Sequence, residues 1–90
     1  SYMKEPFRWL IEGLKGAAKG GGEAFRAAIF YGGILTPAEK RPDAVAAIIS
    51  WLPRLPRPAA ATATAVLSHL TNKPFGPDID AWLNWWKSLK

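Results

Sequence analysis

Cysteine is absent from the 90 residues, and with it any disulfide staple or thiolate-ligated zinc or iron–sulfur centre. Histidine occurs once, as His69, so a multi-histidine metal site within one chain is excluded as well. No run approaches the ~18 uninterrupted apolar residues of a transmembrane helix. The start, Ser1-Tyr2-Met3-Lys4, carries no apolar h-region and no cleavage motif, so no signal peptide is legible. Together these lacks make the cytoplasm the expected compartment. Acidic residues are scarce, 7 against 12 basic, and the resulting net charge of +5 favours an anionic partner without bearing on the fold.

What is present fits one small domain. Apolar residues make up 49% and charged residues 21%, ordinary globular usage that argues against wholesale disorder. Eight glycines and eight prolines cut the chain into helix-sized pieces. Phe7, Leu10, Ile11, Leu14 and Ala18 stand at helical spacing and predict a helix over 5–19, with Pro6 in its first turn and Gly20-Gly21-Gly22 after it. Ala24, Phe25, Ala28, Ile29 and Gly32 predict a second helix over 23–33, reversing at Gly32-Gly33.

Thr36-Pro37-Ala38-Glu39 resembles a capping box, with Thr36 as the cap. Pro42 then opens a third helix lined by Val45, Ile48, Ile49 and Leu52, which Pro53 ends. Pro58 opens a fourth, carrying Ala59, Ala63, Val66, Leu67 and Leu70, with Asn72 in a left-handed conformation at its end. Asp78 caps a last helix bearing Ile79, Trp82, Leu83, Trp86 and Leu89. No segment alternates with the period of a strand. The expected class is all-α: about five helices in a single domain over 1–90, with one helix pair at 5–34, a second at 37–73 and a Trp-rich capping helix at 78–90.

The second helix has one unusual property. Phe30, Tyr31 and Ile34 lie away from its Phe25–Ile29 stripe, so it is apolar nearly all round and calls for cover on more than one side. Either the first and third helices both pack on it, or part of it meets another chain.

The pair at 42–71, followed by Leu70-Thr71-Asn72, then Phe75-Gly76-Pro77-Asp78, then Trp82, Trp85 and Trp86, resembles the closing unit of bacterial HEAT-like (PBS-lyase-type) helical-repeat proteins. That family ends a repeat in Leu-Thr-Gly, followed by a Phe-Gly-x-Asp turn and a short Trp-x-x-Trp-Trp helix. Asn72 stands where the family has glycine. The resemblance covers about half the chain and implies a short α-α superhelix closed by an aromatic cap. The two predicted pairs lie about 37 residues apart, near the ~40–47 of such repeats. On this basis Trp82 and Trp86 are expected in the core, and Trp85 is the indole expected to reach the surface.

Candidate chemistry is sparse. Lys4, Arg8, Lys15 and Lys19 form a basic stripe on the first helix, edged by Glu5 and Glu12. It reads either as the solvated face of an amphipathic helix or as a contact line for phosphates or an acidic partner. Lys40 and Arg41 lie at one end of the third helix and Arg54 and Arg57 at the other, too far apart for one track. Pro53-Arg54-Leu55-Pro56 has the spacing of a polyproline ligand but sits in a tight inter-helix turn. Ser68 and His69 are helix neighbours that point apart, so no Ser-His-Asp set assembles. No catalytic, cofactor-binding or metal-binding residues are expected, and no cofactor.

The function that the resemblance implies is a non-catalytic protein–protein interaction module, an adaptor, assembly or structural subunit. Its expected contacts are Phe30, Tyr31 and Trp85, with Lys4, Arg8, Lys15 and Lys19. Another protein chain is the expected partner, self-association stays open, and a membrane is disfavoured because the helix richest in tryptophan, the last, is not the one that carries the basic stripe. The alternative is nucleic-acid binding through the basic stripe. A third possibility, a terminal piece of a longer repeat array, predicts an exposed apolar flank on the second helix.

Overall fold

A computed structural model describes residues 5–89. Five helices follow one another: α1 (Glu5–Ala18), α2 (Glu23–Ile34), α3 (Arg41–Trp51), α4 (Arg57–Thr71) and α5 (Ile79–Ser88), with 3-10 turns at Ala38–Lys40 and Leu52–Arg54. The chain is all-α, as its helical periodicity predicts, and no strand occurs among the described residues.

α1 and α2 form a hairpin, α2 packs on α4, α1 packs on α3, and α5 lies against α3. The thinnest dimension is 19 Å, about two helix diameters, so the helices form two layers. Leu10, Leu14, Ile29, Ile48, Leu52, Val66, Leu67 and Trp82 are fully enclosed and make the core. They come from all five helices and the turn after α3, so every helix contributes to one core.

Several ends follow the expected chemistry. Asn72 takes φ 61° at the end of α4, and its N–H donates to the Ser68 carbonyl at 2.8 Å. Asp78 caps α5, its carboxylate accepting from the Ala81 N–H at 3.0 Å. Thr36 behaves otherwise. Its buried hydroxyl donates backward to the Gly32 carbonyl at 2.6 Å, closing α2 rather than opening the next helix, and Pro37 precedes the following turn without a side-chain cap. A threonine next to a helix C-terminus has free carbonyls within reach, and here these win over the N–H groups ahead.

The glycine pair also differs from expectation. Gly32 and Gly33 do not stop α2 but lie inside it. A β-carbon at Gly32 would come within 2.5 Å of the Leu10 nitrogen and 2.6 Å of the Pro6 carbonyl oxygen, both on α1. A β-carbon at Gly33 would collide with the Val66 side chain on α4. At Gly13, one on α1 would meet the Ile29 nitrogen and Phe25 carbonyl oxygen at 2.8 Å. The glycines are therefore seats for neighbouring helices, backbone against backbone at Gly13 and Gly32 and backbone against the Val66 side chain at Gly33.

The aromatic end

Trp82 is the centre of the C-terminal cluster. Its ring is fully buried and its Nε1–H donates to the Gly76 carbonyl at 2.8 Å, so the polar edge of the indole is satisfied. Phe75 meets Trp82 edge-to-face at 5.0 Å between centroids, and Trp85 does so at 5.7 Å. Trp85 is thus half-buried and shares its faces with Phe75, Trp82 and Trp86. Trp86 is half-buried too, so the expected division between a core Trp86 and a surface Trp85 does not hold. The reason is that α5 is a surface helix. Only the residue at the centre of its inner face is fully enclosed, and both flanking indoles remain partly wet.

Candidate contact surface

α1 and α4 grip α2 from behind, through Gly32 and Gly33. The second cover of α2 is thus α4 rather than the expected α3. Because both neighbours take the same half of the helix, no element among the described residues packs over the other half. That open half carries Ala24, Ala27, Phe30, Tyr31 and Leu35, all exposed, with Ile34 half-buried among them. Phe30 and Tyr31 meet edge-to-face at 5.2 Å. Glu23 at the helix start is the one charge on this face, since Arg26 turns toward the α4 side and is half-buried.

Trp9 extends the surface. It belongs to the turn of α1 on which Gly32 rests, on the opposite side of the seam from Leu10 and Leu14, and its indole is exposed. Phe25 lies further along the seam, its ring filling the space left by Gly16 and Gly21. Isolated exposed apolar residues are ordinary on a protein surface, but a contiguous group of this kind marks a contact site.

Sequence reasoning reached Phe30 and Tyr31 but missed Trp9 and Leu35. The available signal was Gly13-x-x-Gly16, a close-approach seam that places Trp9 at its rim. Leu35 was hidden by reading the glycine pair as a helix end.

The basic residues divide into two kinds. Lys40 pairs with Asp43 at 3.7 Å and lies 5.7 Å from the Phe7 ring centre, and Arg54 stacks on Trp51 at 5.1 Å. These cations have partners within the fold. Arg8 and Lys15 are exposed along α1 and Lys19 in the turn just after it, since the helix ends at Ala18, and among the described residues no carboxylate lies within salt-bridge distance of the three. Lys4, the fourth member of the predicted stripe, lies outside the described residues. The structure therefore keeps three expected contact groups apart: the apolar half of α2, the basic ridge of α1, and Trp85 inside the aromatic cluster at the other end of the chain.

Pro53 sits in the 3-10 turn and Pro56 immediately precedes α4; Leu55 and Pro56 take extended backbone angles, but Leu55 is buried in the core, so the segment is not free to lie in a partner's groove. His69 is exposed near the end of α4. Among the described residues, no group of three or more His, Asp or Glu is placed to hold a metal ion, and no helix is long and apolar enough to cross a membrane. No family model, curated protein or solved structure matches the chain.

Proposed function

We propose that the chain is a non-catalytic protein–protein interaction module that docks through the open half of α2. The observation carrying this reading is the charge-poor surface of Ala24, Ala27, Phe30, Tyr31, Ile34 and Leu35, left bare because α1 and α4 both take the opposite side. An apolar surface with aromatic anchors and a polar surround is the composition of an interface centre. The layering of α1 on α3 and α2 on α4, two hairpins stacked in order, supports the HEAT-like resemblance, as does the aromatic closure at Phe75 and Trp82.

The test is photo-crosslinking from a benzophenone side chain at position 31, with identification of the captured protein. One species, competed away by the unmodified chain and lost in Phe30→Asp, is expected. A diffuse ladder unchanged by Phe30→Asp overturns the reading.

The exposed ridge of Arg8, Lys15 and Lys19, without an ion-pair partner among the described residues, carries a second reading, nucleic-acid binding. It predicts oligonucleotide affinity that falls at least ~10-fold between about 50 and 200 mM salt, because each phosphate contact releases a counterion. Fluorescence anisotropy with Lys15→Glu/Lys19→Glu as the control decides it. Absence of binding at low salt removes this reading.

A further inference from the structure

We infer that the open half of α2 is built to pair with the same face of a second copy of this chain, the two helices antiparallel about a two-fold axis that passes between Ala27 and Tyr31. This rests on the protein-contact reading above and names its partner. The face follows a 3-4-3 spacing, Ala24, Ala27, Tyr31, Ile34, which is the seam of a helix-to-helix contact. Its first two members are small and its last two large. In an antiparallel pair centred between Ala27 and Tyr31, Ala27 faces Tyr31 of the second copy and Ala24 faces Ile34. Each layer then joins a small residue to a large one, so the helix is complementary to its own reverse. A parallel pair would set Tyr31 on Tyr31 and leave Ala24 facing Ala24 across a gap.

The flanks agree. Phe30 lies beside the axis on the α4 side, so the two Phe30 rings meet across it, while Ala28 leaves room on the α1 side. No lysine or arginine stands on the seam, so a net charge of +5 per chain is held away from the contact. α1 and α4 sit behind α2, clear of an approaching helix. An isologous contact of this kind closes after two copies and adds no third.

The size of the face sets the expected strength. Tyr31, Leu35, Phe30 and Trp9 are exposed by 55, 56, 39 and 40%. At ~150–250 Å² for a whole aromatic side chain, two such faces remove roughly 600–900 Å² in total, below the ~1,200 Å² where stable interfaces begin. The dimer is therefore weak and reversible, with a dissociation constant on the order of 10–100 µM.

Sedimentation equilibrium from about 5 to 500 µM tests the association, and cysteine placement tests its geometry in a chain that has no cysteine of its own. A monomer–dimer equilibrium is expected, undiminished by ~500 mM salt, because no ion pair holds it. Ala27→Glu should raise the dissociation constant at least ~10-fold by burying a charge against tyrosine, with helicity retained because position 27 is exposed. On mild oxidation, a mixture of Ala27→Cys and Tyr31→Cys chains should form the mixed disulfide faster than either forms its own. A monomer throughout the range overturns the second copy as partner, and leaves the protein-contact reading to the crosslinking result at position 31. A dimer indifferent to Ala27→Glu, or one in which Tyr31→Cys self-pairs as fast as the mixture, overturns the antiparallel placement. A monomer whose tryptophan fluorescence shifts on vesicles of phosphatidylcholine and phosphatidylglycerol assigns the face to a lipid surface instead, and overturns the proposal too.

Discussion

Gly32 and Gly33 are adjacent in α2 and face different neighbours, which makes their substitutions separable. The β-carbon of Gly32→Ala meets backbone atoms of Leu10 and Pro6, which cannot retreat without moving α1. That of Gly33→Ala meets Val66, a side chain that can be shortened. Each single change should destabilise by ~1–3 kcal/mol through overpacking. Val66→Ala alone should destabilise as well, through the cavity it leaves. Combined with Gly33→Ala it should cost at least ~0.5 kcal/mol less than the sum, since the new methyl occupies the space vacated. No shortening of Leu10 should rescue Gly32→Ala. Urea denaturation of the five variants measures both statements. Asn72 makes a similar point about backbone angle: at φ 61° Asn72→Gly should be tolerated, whereas Asn72→Ala should lose ~1 kcal/mol.

At the scale of the element, α5 asks whether packing or capping holds it. Asp78 supplies one hydrogen bond to an orphan N–H, and Asp78→Ala should cost about 1 kcal/mol. Trp82 supplies a fully enclosed indole, two edge-to-face partners and the bond to Gly76, so Trp82→Ala should cost ~3–5 kcal/mol. Urea midpoints followed by circular dichroism at 222 nm give both values. Near-equal costs would show that the cap dominates. Trp85→Ala belongs with Trp82 in this comparison, because its contacts with Phe75 and Trp82 make it part of the same cluster. A loss of partner binding in that variant would report on folding rather than on a contact. α2 shows the converse behaviour. Its helix is held entirely from behind, so its outer residues are free of structural duty.

At the scale of the whole molecule, fold and contact surface are therefore separable. Tyr31→Lys, measured at about 0.5 µM, well below the expected dissociation constant, should change stability by no more than ~0.5 kcal/mol, while Ile29→Ala, two residues away on the buried face, should cost ~2–5 kcal/mol. Lysine is a good helix former and its charge suits the C-terminal end of α2, so any effect of Tyr31→Lys on association reads the contact itself. Thermal unfolding of the two variants checks this. A large loss in Tyr31→Lys would mean that the open face carries fold energy after all. The charge distribution follows the same division. The apolar half of α2 and the basic ridge of Arg8, Lys15 and Lys19 lie on different helices, so salt and side-chain changes act on each separately.

Much of this was legible in the sequence, for local reasons. Helical spacing of Leu10, Leu14, Ile48, Ile49, Val66 and Leu67 marked the core, and Asn72 and Asp78 marked two helix ends, because spacing and end chemistry act within a few residues. The excess of apolar residues on α2 was equally readable, and with it Phe30 and Tyr31. Only the tertiary structure decided what that excess means. It turned Gly32-Gly33 from a helix stop into two seats, chose α4 over α3 as the second neighbour, redirected the Thr36 hydroxyl backward, and drew Trp85 into the aromatic cluster. Each of these depends on which backbone approaches which across the chain. A glycine reads the same in sequence whether it frees a turn or admits a neighbouring helix, and only the packed neighbour distinguishes the two.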